Sequence, residues 1–109
     1  MALEKEIEMG VKKGRPIKAR IVRKEPSTRQ FSPRGRIGRP GYKVLKIEEI
    51  ETIRLSDYMG LSQGEAAKLM GISQQTYSRV LKASRKALAE ALINGEIIKV
   101  QGGDYKINR

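Results

Sequence analysis

A mainly α fold is what this sequence predicts: a helix-turn-helix three-helix domain with a C-terminal β-hairpin and a basic, largely extended N-terminal arm. Three observations predict it. Residues 11–43 hold twelve basic residues against the single acid Glu25, together with all four prolines of the chain. From Val44 onward, apolar residues recur at helical spacing and helix-capping residues are dense. The chain then closes on two short β-type runs around Gly102-Gly103. The division falls between residues 1–43, the arm, and residues 44–109, the domain.

Within the arm only 17–23 is strand-like, with Ile17, Ala19 and Ile21 alternating with basic residues. That piece suits pairing with a sheet edge elsewhere; the rest has too few apolar residues to build a core. In the domain, Ile47, Ile50, Ile53 and Tyr58 place a first helix over 46–59, with Gly60 as its stop. Ser62-Gln-Gly-Glu65 has the capping-box form, so a short helix follows through Met70 and ends at Gly71. Ser73 caps a third helix that meets neither Pro nor Gly before Gly95. Ile97-Ile-Lys-Val100 and Tyr105-Lys-Ile107 then read as the two strands of a hairpin.

Composition removes whole classes of chemistry. The chain has 109 residues and no Cys, His or Trp. Disulfides, thiolate or imidazole metal sites and histidine-dependent catalysis are excluded on that inventory. No loop has the ligand spacing of a carboxylate cation site or of a phosphate-cradling Gly-x-x-x-x-Gly-Lys turn. The expectation is a non-enzyme with no cofactor and no evident small-molecule ligand. The first residues are charged where a signal peptide needs an apolar run, and no apolar stretch is long enough to span a bilayer. A cytoplasmic, nucleoid-associated chain with no membrane partner is therefore expected. Its net charge of +11 calls for a polyanion.

The most specific pattern lies in residues 63–82. A helix-turn-helix needs small residues where its helices touch, a Gly where φ turns positive, and apolar flanks. Ala66 and Ala67 supply the first, Gly71 the second, and Met70, Ile72, Tyr77 and Val80 the third. At about 100° per residue, Tyr77, Leu81, Ser84, Leu88 and Leu92 gather on one face of the third helix. Gln75, Arg79, Lys82 and Lys86 gather opposite. A recognition helix presents its N-terminal side chains to the major groove. The candidate DNA contacts are therefore Ser73, Gln74, Gln75, Thr76, Ser78, Arg79, Lys82 and Lys86. Gln suits adenine and Arg suits guanine, whereas Lys82 and Lys86, further along, suit phosphates. The bland alternative is a solvated basic face. Arg54 is expected to pair with Glu51 or Asp57, and Tyr77 to sit in the core. Glu48, Glu49 and Glu51 suit the dipole at a helix start.

Two stretches of the arm, Lys12-Lys13-Gly14-Arg15-Pro16 and Pro33-Arg34-Gly35-Arg36-Ile37-Gly38-Arg39-Pro40, are AT-hook-like. In that motif Gly allows close approach to a narrow minor groove and Arg reaches its floor. Lys13, Arg15, Arg34, Arg36 and Arg39 are the candidate arm contacts. They read bases in the minor groove, grip phosphates without reading bases, or are merely solvated.

Residues 47–79, from Ile47-Glu-Glu-Ile50-Glu51 through Gly60-Leu61-Ser62 and Met70-Gly71-Ile72-Ser73 to Tyr77-Ser-Arg79, resemble a small prokaryotic family. The resemblance continues in Ala83-Ser-Arg85-Lys86, Ala91-Leu92-Ile-Asn-Gly95, Gln101-Gly102-Gly103, Gly14-Arg15-Pro16 and Phe31-Ser-Pro33. Members are uncharacterised, predicted DNA-binding proteins whose helix-turn-helix is similar to sigma-factor region 4. Ala19 stands where members often carry Cys, so no metal-linked role passes to this chain. The resemblance and the residues together imply sequence-specific double-stranded DNA binding through a helix-turn-helix by a transcription regulator. The alternative is an RNA-binding or RNA-polymerase-associated accessory protein that uses the arm as its main contact. A homodimer is expected, paired through the third helix and the hairpin, with Val100, Tyr105 and Ile107 as candidates.

Overall fold

The structure, a computed structural model, describes residues 19–35 and 38–108. In chain order these form β1 (Arg20–Val22), β2 (Gln30–Phe31), β3 (Tyr42–Leu45) and α1 (Ile47–Ile53), which runs into a π-helical turn (Arg54–Tyr58). Then come α2 (Gln63–Met70), α3 (Gln74–Asn94), β4 (Ile97–Val100) and β5 (Tyr105–Ile107).

The strands overturn the expected mainly α fold with its C-terminal hairpin. β4 and β5 do not pair with each other. β5 lies parallel to β1, with Arg20 opposite Tyr105 and Val22 opposite Ile107. β4 is the middle strand of a second sheet, antiparallel to β2 and parallel to β3, with Tyr42 opposite Ile97 and Leu45 opposite Val100. The described residues form a mixed α/β unit with three α-helices and two small sheets. The expected arm is corrected with it: 20–22, 30–31 and 42–45 are strands of those sheets rather than chain extended away from the domain. β1 falls inside the strand-like stretch 17–23, of which residues 17 and 18 lie outside the described residues.

The physical reason lies in the loop between β4 and β5. Its polar groups find partners on α1 and β3 rather than on each other. Gln101 N–H donates to Leu45 O at 3.0 Å, and Gly102 O accepts from Ile47 N–H at 3.1 Å. Asp104 N–H donates to the Glu48 carboxylate at 3.2 Å. Gly102 and Gly103, both at positive φ, turn the chain over the start of α1 instead of folding it back on itself.

Two acids on α1 hold β1 in place. Glu48 and Glu51 are both buried, so each must find donors. Glu51 accepts from Arg23 N–H at 2.8 Å and from Arg54 Nε and Nη2 at 2.8 and 2.9 Å. Glu48 takes the Arg20 guanidinium at 3.3 Å. Glu49 instead closes the helix start, accepting from Lys46 N–H at 2.7 Å. Of the two partners expected for Arg54, the structure selects Glu51. That hydrogen bond raises the Arg54 guanidinium above its usual range.

The expected helix over 46–59 is regular only to Ile53. Met59 N–H then donates to Arg54 O at 2.8 Å, one residue beyond α-helical spacing, and Gly60 at φ 76° ends the segment. The core has two parts, and α3 crosses both. Tyr77 and Leu81 pack with Leu55, Ala66, Ala67 and Met70. Ala91 packs with Val22, Leu45, Ile47, Ile98 and Val100. Buried Ser84, between them, returns its hydroxyl to Val80 O at 2.7 Å.

Candidate nucleic-acid interface

The α2–turn–α3 unit is fixed by local chemistry at each end. Ser62 and Glu65 form the reciprocal capping box that starts α2. Gly71, at φ 68°, ends it, and Ile72 N–H returns to Ala67 O at 3.1 Å. A Cβ at Gly71 would lie 3.3 Å from Ile21 Cδ1, so β1 seats directly on this turn. Ser73 then starts α3, its hydroxyl accepting from Thr76 N–H at 3.1 Å. Small Ala66 and Ala67 are fully buried and let α2 approach the Tyr77–Leu81 side of α3.

The eight residues expected on this helix divide into two groups. Ser73 and Thr76 cap the helix and bond one another through their hydroxyls at 2.9 Å. Ser78 donates to the Gln63 side chain, a link between α2 and α3. Those three serve the fold. Gln74, Gln75, Arg79, Lys82 and Lys86 are exposed. Gln74 leans its side-chain oxygen toward Gly64 of α2. Gln75, Arg79, Lys82 and Lys86 follow at helical spacing and make one stripe. The three cations of that stripe form no ion pair with any described residue.

Arg85, on the same helix, is already engaged. Its guanidinium meets Asp57 on the π-helical turn with Nη2–Oδ1 2.7 Å and Nε–Oδ2 3.0 Å. This fork lowers the Asp57 carboxyl below its usual range and raises Arg85. The only hint was Asp57 itself, which sequence reading offered to Arg54. Tyr77 is in the core as expected, and burial pushes its phenol up.

Of the arm candidates, Arg34 stands apart from the α3 stripe. Lys13, Arg15 and Arg36 lie outside the described residues. Arg34 and Arg39 are exposed, and Arg34 lines a shallow depression with Pro33, Gly35, Ile93, Asn94 and Gly95. That is the C-terminal end of α3. Arg79 stands fifteen residues earlier on the same helix, roughly 22 Å at 1.5 Å per residue.

Of the three candidates for pairing, Val100 is buried and offers no surface, while Tyr105 and Ile107 are half-buried, packed on the core cluster around Ala91. Leu92, expected on the core face of α3, is exposed instead. It edges an apolar groove of about 570 Å³ walled by Ile50, Ile53, Leu88 and Phe31 over a floor of Leu45, Ile98 and Val100. Among the described residues no cluster of three or more acidic side chains could hold a metal ion, and no helix is long and apolar enough to cross a membrane.

Residues 9–108 match the model of a protein family of unknown function, DUF134. A UPF0251 protein of Methanococcus maripaludis strain C5 is 44% identical over 103 residues, covering 91% of this chain and 77% of that protein. A UPF0251 protein of Thermoanaerobacter pseudethanolicus is 42% identical over 97 residues, covering 85% and 80%. One from Methanococcus vannielii is 41% identical over 105 residues, covering 93% and 78%. No solved structure matches.

Proposed function

The chain belongs to the DUF134 family, found in archaea and bacteria and of unknown function, and from that premise we propose that it binds double-stranded DNA sequence-specifically as a transcription regulator. The observation that carries this reading is the stripe Gln75, Arg79, Lys82 and Lys86, exposed on α3 with its cations unpaired among the described residues. It begins at the helix N-terminus, where a recognition helix meets base edges. In this reading α2 and α3 work as a helix-turn-helix similar to that of sigma-factor region 4. Gln75 and Arg79 read bases, Lys82 and Lys86 hold phosphates, and Arg34 and Arg39 add backbone contacts. Such binding places the chain on the nucleoid.

The test selects bound sequences from a random duplex pool with matched RNA as competitor. Enrichment of one motif, with Arg79→Ala losing about 1–3 kcal/mol at that motif and little on random DNA, supports base reading. Equal losses on both make Arg79 a phosphate contact. Preference for the RNA competitor replaces this reading with the RNA-binding alternative.

A further inference from the structure

We infer that the face around Leu92 is the contact between two copies of this chain, which meet with their α3 helices antiparallel across a two-fold axis. Leu92 is 71% exposed and Ile93 85%, both in the last turn of α3, and Tyr58 and Phe31 beside them are 85% and 53% exposed. Leu92 is the ridge between two depressions: the apolar groove of about 570 Å³ on one side, and the shallower one at Pro33–Gly35 and Ile93–Gly95 on the other. A contiguous apolar surface of this kind marks an interaction site.

Three features name a second copy as the occupant. First, the face is self-complementary. It carries both the groove and the ridge that would fill one, and a two-fold axis brings the ridge of each copy to the groove of the other. Second, charge is segregated along α3. The segment 79–86 carries Arg79, Lys82, Arg85 and Lys86, whereas 87–94 carries only Glu90, which is paired with Lys43 at 3.3 Å. A chain of net charge +11 repels its own copy, and repulsion is least where the cations are absent; among the described residues only Lys24 and Arg34 stand unpaired at this rim. Third, and resting on the DNA-binding reading, helices crossing at Leu92 set the two copies of Tyr77 at most about 45 Å apart. Any crossing angle shortens that toward the 34–36 Å of one DNA turn.

The test follows the full chain by sedimentation equilibrium up to roughly 100 µM, without DNA. A dimer is expected for the natural chain and a monomer for Leu92→Asp. Melting of Leu92→Asp should be close to that of a monomer control such as Ile93→Asp, because neither side chain is in the core. The chain has no cysteine, so Leu92→Cys should link into a covalent dimer on mild oxidation while Lys68→Cys, exposed on α2, should not. A natural chain that stays monomeric, or a dimer that survives Leu92→Asp, overturns the inference. So does a monomer in which the thiol of Leu92→Cys becomes reactive only when residues 1–18 are removed; the groove then holds the chain's own N-terminal segment. DNA binding dependent on Arg79 in a monomer would leave the functional reading standing. A dimer that binds no DNA would sink that reading alone.

Discussion

Tyr77 donates its phenolic hydrogen to the carbonyl oxygen of Thr52 at 2.9 Å, and its oxygen lies 2.6 Å from the Ser56 hydroxyl, so the start of α3 is bonded to the junction of α1 and the π-helical turn. The ring is wholly buried. Tyr77→Phe keeps the packing and deletes both bonds, leaving the buried Thr52 carbonyl with one partner fewer. The expected loss is about 1–3 kcal/mol in urea unfolding. Burial holds the phenol above its usual value. Its contribution is therefore present below the unfolded value of about 10 and is lost as pH rises through the folded one. A Tyr77→Phe chain as stable as the natural one would show the bonds merely replace equal ones to water.

The Asp57–Arg85 fork makes an acid-side prediction. Hydrogen bonding by Arg85 lowers the Asp57 carboxyl, so the folded value lies below the unfolded one. The pair's contribution is full above the unfolded value, about 3.9, and disappears as pH falls through the folded one. Both side chains are substantially exposed, so the effect is small and salt-sensitive. Melting temperatures of the natural chain and Asp57→Asn should differ at pH 6 in low salt and converge as pH falls below the folded value of Asp57. A gap that persists unchanged at low pH would mean that Asp57 acts through packing, not charge.

Glu48 and Gly103 make the sharpest steric prediction. A Cβ at Gly103 would lie 1.9 Å from Glu48 Oε1, and the backbone there has φ 109°. The carboxylate cannot retreat easily, because it holds Arg20 and Asp104 N–H on its other oxygen. Gly102 has a similar positive φ of 76° but open space around it. Gly102→Ala should therefore cost only about 1–2 kcal/mol of backbone strain. Gly103→Ala should cost clearly more in the same melting series. Equal costs would show that Glu48 moves freely.

That same pair explains what could be read from the sequence and what could not. Helix limits were legible because their causes are local: Ser62 and Ser73 bond amides three residues on, and Gly71 and Gly95 adopt the left-handed stop. The Gln75–Lys86 stripe follows from helical period alone. Strand pairing was not legible, since Gly102-Gly103 between two β-type runs looks like a hairpin turn until Glu48, 55 residues earlier, is placed beneath it. The basic stretch misled for a related reason. Its β1 has only three residues, and the donors that anchor it, Arg20 and Arg23 N–H, find acids on α1. Leu92 was misplaced because helical period marks a face, not what covers it.

The last prediction separates the two ends of α3 on DNA. Removing residues 1–43 would also remove β1, β2 and half of β3, so single substitutions are the cleaner probe. If Arg34 and Arg39 hold phosphates, each change to Ala should lower the slope of log affinity against log salt by about 0.9. The loss should be uniform across sequences, with the order of preferred sites unchanged. Arg79→Ala should do the reverse in kind, relaxing preference at one position. Arg34, at the far end of α3, stands roughly 22 Å from Arg79 along the helix. At about 3.4 Å per base pair, the phosphate it holds should lie within about six base pairs of the base that Arg79 reads. Phosphate-ethylation interference on the selected motif measures that offset directly. A salt slope unmoved by either Arg34→Ala or Arg39→Ala would remove this end of the helix from the interface and leave the stripe on α3 as the whole of the contact made by the described residues.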